Sequence, residues 1–498
     1  MGISIGIVGC GTVGATMVAA LAAHAPWSGG PHQLVLVDRP DDRWRGRAYQ
    51  RDTPHVLANG PMIGMSLHHD DPEHGVRWAQ ARGLDVLPDA AGVHRFLPRP
   101  VFGDYLEDGV AEALATLRAA GWWIRTVDEP ATGLERHGDR VTIRTRGHTV
   151  RTDYVVLCPG GRPGGDLYNL AGTRGYVGSP YPLQDSLADI EEDRDVTVLG
   201  TGMTATDVVV ALAARGHRGR ITLASRNGLL PSVRRNAARV SLVHLTRENL
   251  ARDGGGLGLD GAVALARAEV RHAGGNFAAL AQEVRTPPPA AVRLRRQLRH
   301  AASSDIAAQV LQRAVVEAGQ DLWLALSEEA KDAVTARHHA ALWSFASPIP
   351  RSTGETLHRL FTEGRLVVRP CLRGVERARS GFTLRHGASG TAHADVLVDA
   401  ITAVGRENPG PADELVRSAV ATGSLAVHPR GGVRIDPGTG QVIDAAGTLD
   451  ERVFALGELT RGSYYFVSAV SVFTRRAAEI AESIALHKSA ARLLAPAA

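Results

Sequence analysis

An α/β fold built from two strand, glycine-turn, helix units with a helical insertion is what this 498-residue sequence predicts, and three observations predict it. The first forty residues read as a short apolar strand, the run Gly9-x-Gly11-x-x-Gly14, an apolar helix, and a second strand ending on Asp38. Residues 195–226 repeat the pattern with Gly200-x-Gly202-x-x-Ala205 and a strand that ends on Ser225 and Arg226. Near the end, Arg452-Val-Phe-Ala-Leu-Gly457 has the character of a strand, steps onto Glu458, and leads to a helical stretch from about 467 to 486.

Each element of the first unit answers a physical need. Gly9 permits the tight turn, Gly11 lets the backbone approach a pyrophosphate, and Gly14 lets helix and strand pack closely. The free amides and positive dipole end of the helix receive phosphate without a basic side chain. Asp38 is placed to accept hydrogen bonds from ribose hydroxyls and repels a 2′-phosphate, so this unit is expected to bind FAD or NAD. In the second unit Arg226 occupies the corresponding place, and a guanidinium pairs bidentately with phosphate. Gly200, Gly202, Ala205, Ser225 and Arg226 are therefore expected to hold NADPH, helped by Arg234 or Arg235. The alternative for Arg226 is a solvated strand end.

Between these units lies a glycine-, proline- and asparagine-rich loop, 45–66, and long irregular segments in compact enzymes are usually functional. A helix is expected over 103–120. Strands follow at 122–127 and 140–145 around a turn at 137–139, and a buried strand from 154 ends in the glycines 160 and 161. Residues 240–345 lean helical with a breaker at 287–289 and read as an insertion. A short helix at 357–364 and strands at 365–369, 382–386 and 396–400, the last entering 403–405, are expected to resume the first domain. The domain plan is thus 1–185, 186–350 and 351–498, with the first and third pieces forming one domain. The closing strand, glycine-acid step and helix are the usual end of a two-dinucleotide flavoprotein, with Gly457 near the FAD diphosphate, Glu458 on ribityl hydroxyls, and the helix amides around Ser468 facing the flavin.

Bulk properties narrow the function. Lys331 and Lys488 are the only lysines, the net charge is +4, and aromatics make up 5%, so neither a nucleic-acid arm nor a stacking platform is predicted. No stretch approaches the ~20 apolar residues of a membrane span. Cys10, Cys158 and Cys371 stand alone, which disfavours a disulfide framework, a zinc site and a redox dithiol, and fits a reducing cytoplasm. No metal is expected. A homo-oligomer is compatible with the sequence but not indicated by it.

Arg47-Ala-Tyr49, Pro54-His-Val-Leu-Ala-Asn59, Met65-Ser66, Ser225-Arg-Asn-Gly-Leu-Leu-Pro231, the segment around Trp343 and Ala455-Leu-Gly457 together resemble the FAD-NAD(P)-binding family. That family is related to flavin-dependent amine N-hydroxylases and includes enzymes similar to nitrosuccinate synthases, which oxidise the amino group of aspartate. The resemblance implies that the 45–66 loop, with Arg47, Tyr49, Asn59, Met65 and Ser66, lies along the flavin and that Arg226 meets NADPH. Glu458 stands where an aspartate is usual, and Ala58 interrupts an asparagine-rich pattern. The expected activity is an FAD- and NADPH-dependent monooxygenase acting with molecular oxygen on a small amine. The rival readings are a flavin oxidase or dehydrogenase without oxygen insertion and a non-catalytic nucleotide-binding protein. An ammonium has no lone pair, so a base is needed, and His55, His68 and His69 are the candidates in or beside the flavin loop. Arg45, Arg47 and Arg51 are open to three partners: a substrate carboxylate, FAD phosphate or solvent. His338 and His339 are expected to face solvent.

Overall fold

The computed structural model describes residues 2–494 apart from 25, 26, 28, 42, 161–165, 237–239, 253, 302–305 and 402–413. Gly161 and the 403–405 segment of the sequence reading therefore lie outside the described residues.

Strand β1 (Ser4–Val8) is buried along its whole length and feeds the helix Thr12–Ala23. Strands β2 (His32–Val37) and β3 (Trp122–Val127) extend the sheet in parallel on one side of β1. The strand at 122–127 is thus the outer member of the parallel sheet, not half of a hairpin with 140–145. The turn at 137–139 instead joins β4 (Gly133–His137) to β5 (Arg140–Arg144), and β6 (Thr149–Thr152) completes a small antiparallel sheet. Its alternating exposure suits an edge strand, because only one face of an edge residue pair needs cover. Strand β7 (Tyr154–Leu157) then returns to pair with β1.

The second unit opens with β8 (Tyr176–Val177), β9 (Val196–Leu199) and β10 (Ile221–Ala224), continues with β11 (Leu366–Arg369), and carries an antiparallel excursion of β12 (Leu372–Arg377), β13 (Phe382–His386) and β14 (Gly390–Ala394) before β15 (Val396–Asp399). The parallel order is β11-β10-β9-β15-β8. The strands expected to rejoin the first domain from residue 351 therefore belong to the second sheet. The helix Arg351–Thr362 explains why: it buries Leu357 and Leu360 in the same core as Val208 and Leu212, so the strand after it is delivered beside β10. The first sheet is completed only by β16 (Gln441–Ile443) and β17 (Leu449–Ala455), where β17 pairs in parallel with β7.

The stretch expected to be helical is so. Among its helices are Leu259–His272, Ala290–His300, Ala307–Ala325 and His339–Ala346. The proline run falls between two helices, and Pro289 occupies the N-cap position of Ala290–His300.

A buried charge cluster ties the two units together. Arg99, on the helix Arg99–Ala119 of the first, pairs with Asp207 on the helix Met203–Ala214 of the second at 2.7 Å, and the Tyr181 hydroxyl donates to the same carboxylate. Nearby, Asp52 accepts from the amides of Leu183 at 2.6 Å and Gln184 at 2.9 Å. No helix of the described residues is long and apolar enough to cross a membrane.

Candidate active site

The first glycine elbow is built as its spacing requires. Gly9 has φ +92°, and a Cβ there would lie 2.5 Å from the Cys158 carbonyl oxygen. A Cβ on Gly14 would come within 2.4 Å of the Gly9 carbonyl oxygen, so helix and turn meet with no room for a side chain. Gly11 caps the helix Thr12–Ala23 without a side-chain hydrogen bond, and the first turn holds no acid. Its amides are left for an anion, as in dinucleotide sites. The Asp38 carboxylate accepts the Cys10 amide at 2.6 Å and the Arg39 amide at 2.8 Å, which pins the elbow and orients the acid. From the other end of the chain Gly457, φ +79°, is so close that a Cβ would meet Val13 at 3.0 Å. Beside it, burial raises the Glu458 carboxyl above its usual range, while Arg461, 3.8 Å away, opposes the rise. Backbone alone lines this cradle at its narrowest point, where Gly46 packs on Gly11, and that fits the adenylate half of a dinucleotide.

The second elbow is the more open. Gly200 has φ +109°, Gly202 caps Met203–Ala214 with no side-chain bond, and nothing lies within 4 Å of where a Gly202 Cβ would stand. Ala205 is fully buried at the helix–strand contact. The Ser225 hydroxyl accepts from Thr201 Oγ1 at 3.2 Å and from the Gly228 amide at 2.9 Å, fixing the turn that carries Arg226. Arg226 is exposed, and among the described residues its guanidinium makes no hydrogen bond or ion pair. A phosphate-bearing ligand on this elbow would find an unspent cation there.

A cavity of about 330 Å³ opens where the two units, the insertion and the last helix meet. The flavin-loop residues Tyr49, Asn59 and Met65 form one wall, Ser468 and the start of the helix Val470–Leu494 another, and Gln309, Gln312 and Trp343 of the insertion a third. His94 and Arg234 complete it. Its volume is that of an ordinary ligand pocket.

Other residues singled out in the sequence lie elsewhere. Ser66 is spent on a turn, donating to the Asp71 carbonyl at 2.7 Å and accepting the His68 amide at 3.1 Å. The His68 ring packs on His74 at 4.3 Å, and burial lowers its pKa. His69 is exposed. His55 is exposed at a separate surface cleft of about 380 Å³ with Gln184 and Arg215. Gly160 is exposed just beyond β7. Arg45, one of three arginines weighed as carboxylate receivers, is a buried strut bonded to Asp104, Glu107 and the Pro100 carbonyl. Arg51 projects into solvent beside Glu107. Arg47 lies over the Tyr181 ring at 5.4 Å with its Nε buried and unpartnered, and burial lowers its pKa.

Two features had no signal in the sequence. The backbone carbonyl of Asn59, in the flavin loop, accepts from Arg234 Nε at 3.1 Å and Nη2 at 2.8 Å, which binds the second unit to that loop. Tyr465 holds φ +61°, ψ −56°, with the Phe466 amide bonded to the Tyr464 carbonyl at 2.7 Å. Such a three-residue turn is strained for a bulky side chain. The Tyr465 hydroxyl meets His339 Nδ1 at 2.7 Å, and its ring stacks on Trp323 at 4.4 Å. His339 thus faces the protein interior, not the solvent expected for it.

Burial pushes His94 down to about 4, with Arg234 adding to the effect, and pushes His428 down to about 4, with Arg430 and Arg434 adding. A free histidine titrates near ~6.5. As acid is added below that value the unfolded chain takes up protons that the folded one refuses, so the contribution of these groups is whole above about pH 6.5 and is lost progressively towards pH 4. Urea midpoints are expected to fall between pH 7 and pH 5 at fixed ionic strength, and His428→Gln is expected to flatten that fall. An unchanged slope in the variant would contradict it.

No curated protein matches the chain in sequence. Among solved structures, the ornithine N-hydroxylase of Kutzneria sp. 744 in its FADred-NADP+-L-orn state aligns over 97% of this chain and 99% of its own, with a TM-score of 0.57 at 16% identity. The reduced ornithine hydroxylase PvdA of Pseudomonas aeruginosa aligns over 98% and 100%, at 0.56 and 14%. The L-lysine 6-monooxygenase of Pseudomonas syringae aligns over 97% and 98%, at 0.54 and 16%. At these identities the likeness is one of fold, and it extends through both glycine elbows and the helical insertion. Residues 6–162, which carry the first elbow, Asp38 and the flavin loop, form an FAD-NAD(P)-binding domain by their match to the family model of that description.

Proposed function

We propose that this chain is an FAD- and NADPH-dependent monooxygenase that hydroxylates the nitrogen of a small amine such as an amino acid. The observation that carries the reading is the pairing of two uncapped glycine elbows with opposite neighbours, Asp38 at one and the unpartnered Arg226 at the other, around a single cavity. An acid suits a bare ribose and a guanidinium a 2′-phosphate, so the two elbows select FAD and NADPH respectively. The full-length likeness in fold to ornithine and lysine hydroxylases supports the same reaction class.

FAD, reduced by NADPH, would supply the electrons that activate oxygen. What the chain's own residues do is hold and shield the amine. Gly9, Gly11, Gly14 and Gly457 would receive the adenylate and diphosphate, and Tyr49, Asn59, Met65 and Ser468 would bound the flavin ring. Met65, Trp343 and Val470 give the cavity apolar surface that disfavours an ammonium over a neutral amine, the form that carries a lone pair.

The test is amine-dependent oxygen uptake by the FAD-loaded protein, with mass spectrometry for a product one oxygen heavier. Arg226→Ala is expected to raise the KM for NADPH roughly 10- to 100-fold, the loss of a charge-assisted pair, and to leave that for NADH unchanged. Equal losses with both coenzymes would overturn the assignment of the second elbow. Flavin reduction without any amine-dependent oxygen uptake would favour a dehydrogenase.

A further inference from the structure

We propose that Arg234 is the anchor for a carboxylate on the amine substrate, with His94 and Gln309 in the same cavity receiving the substrate's N–H groups, so that the substrate class is a carboxylate-bearing amine. This rests on the monooxygenase reading for what happens to the amine, but not for the binding of the carboxylate.

Three unmet demands converge in one cavity. Arg234 spends Nε and one Nη2 hydrogen on the Asn59 carbonyl, and among the described residues no carboxylate pairs with it. A guanidinium has five N–H donors in a planar fork, so the Nη1 hydrogens and the second Nη2 hydrogen remain, the end-on edge that matches a carboxylate. Burial with no compensating charge pulls this arginine down to about 10, the mark of a cation held for a partner the protein does not supply. His94 Nδ1 is buried without a partner, and Gln309 donates its Nε2 to the Asn236 carbonyl at 2.7 Å while its buried Oε1 accepts nothing. A buried polar atom left unpaired costs about 1–3 kcal/mol, so three in one cavity are unfavourable until a ligand meets them. The other charges in the wall are already engaged: Arg313 pairs with Glu317 at 2.7 Å, and Arg235 donates to the His300 carbonyl. The ligand that satisfies the set carries one anionic oxygen pair and at least one N–H, and the tie to Asn59 places its carboxylate against the flavin loop.

Arg234 was weighed from the sequence as a helper for the NADPH phosphate. Its place in the cavity wall, bonded to the loop of the first unit, assigns it to the substrate.

The test uses the FAD-loaded protein and two kinds of probe. Succinate, a dicarboxylate with no nitrogen to oxidise, is expected to bind saturably in calorimetry where succinamide does not, and Arg234→Gln is expected to weaken succinate roughly 10- to 100-fold. In turnover, a matched pair such as β-alanine and propylamine is compared. Arg234→Gln is expected to raise the KM of the carboxylated member by that factor while leaving its kcat, the KM for NADPH and the flavin absorbance spectrum in place. Arg234→Lys is expected to restore part of the affinity, which a purely structural loss would not allow. If Arg234→Gln instead shifts the flavin spectrum or loses FAD with succinate binding unchanged, the guanidinium serves the flavin and the proposal fails. If both members of the pair lose equally, it fails as well. Should Arg234→Gln not fold, Gln309→Leu is read in its place: a higher KM for β-alanine with unchanged succinate binding supports the proposal, and no change in KM overturns it. Succinate binding that persists in a protein showing no amine-dependent oxygen uptake would overturn the monooxygenase reading and keep the carboxylate site.

Discussion

Asp207→Ala is expected to cost about 3–5 kcal/mol, because it strands the Arg99 guanidinium in the interior. The Arg99 and Asp207 side chains are 12% and 6% exposed, and after the substitution Arg99 keeps only the Leu57 carbonyl at 3.2 Å. The Tyr181 hydroxyl loses its acceptor at the same time. The loss should appear as a lower urea midpoint, with the transition separating into two steps as the tie between the units goes. Asp207→Asn retains an acceptor for Tyr181 and is expected to fall between the two. The double variant Arg99→Leu with Asp207→Leu is expected to recover most of the loss, since replacing both members of a buried pair is far milder than breaking it. A single substitution that costs less than about 1 kcal/mol would show that water reaches the pair and screens it.

Gly9→Ala is expected to abolish flavin retention. The φ of +92° alone costs an L-residue about 1–2 kcal/mol, and the new Cβ would sit 2.5 Å from a backbone oxygen that belongs to the turn after β7 and cannot swing away. Overpacking of this kind adds roughly 1–3 kcal/mol and displaces the turn itself. The readout is the visible flavin absorbance of the purified protein after exchange into FAD-free buffer. Gly202→Ala is the control: its Cβ would meet nothing within 4 Å and its φ is −80°, so fold and flavin should survive. Normal flavin content in Gly9→Ala would remove the first elbow from the FAD site.

These two cases mark what a single sequence discloses. The elbows were legible because their glycine spacing answers to backbone geometry within a dozen residues, and the acid or arginine ending the next strand is local too. Sheet membership was not: the apolar pattern of β11 and β15 says that they are buried strands but not whose neighbours they are. The partner is chosen by the helix Arg351–Thr362, whose core contacts lie about 150 residues upstream. The arginines of the flavin loop were ambiguous for the same reason. Arg45 looked free in the sequence, yet its carboxylates Asp104 and Glu107 wait on a helix some sixty positions later. His94 and Arg234, separated by 140 residues, become one cavity wall only through the fold. Trp343, by contrast, was within reach through the resemblance that also marked the flavin loop.

The pairing of β7 with β17 joins Val155 to Val453 across almost three hundred residues. During synthesis the amino-terminal sheet must therefore wait, with the wholly apolar edge Tyr154–Leu157 unzipped, while the ribosome delivers everything in between. An unsatisfied, hydrophobic strand margin of this kind is an invitation to illicit pairing between nascent chains. The second unit, whose strands all lie inside that interval, is able to mature first and stand guard over the gap. Recombinant yield should consequently depend on chaperone supply and slow translation more than on the robustness of the finished molecule.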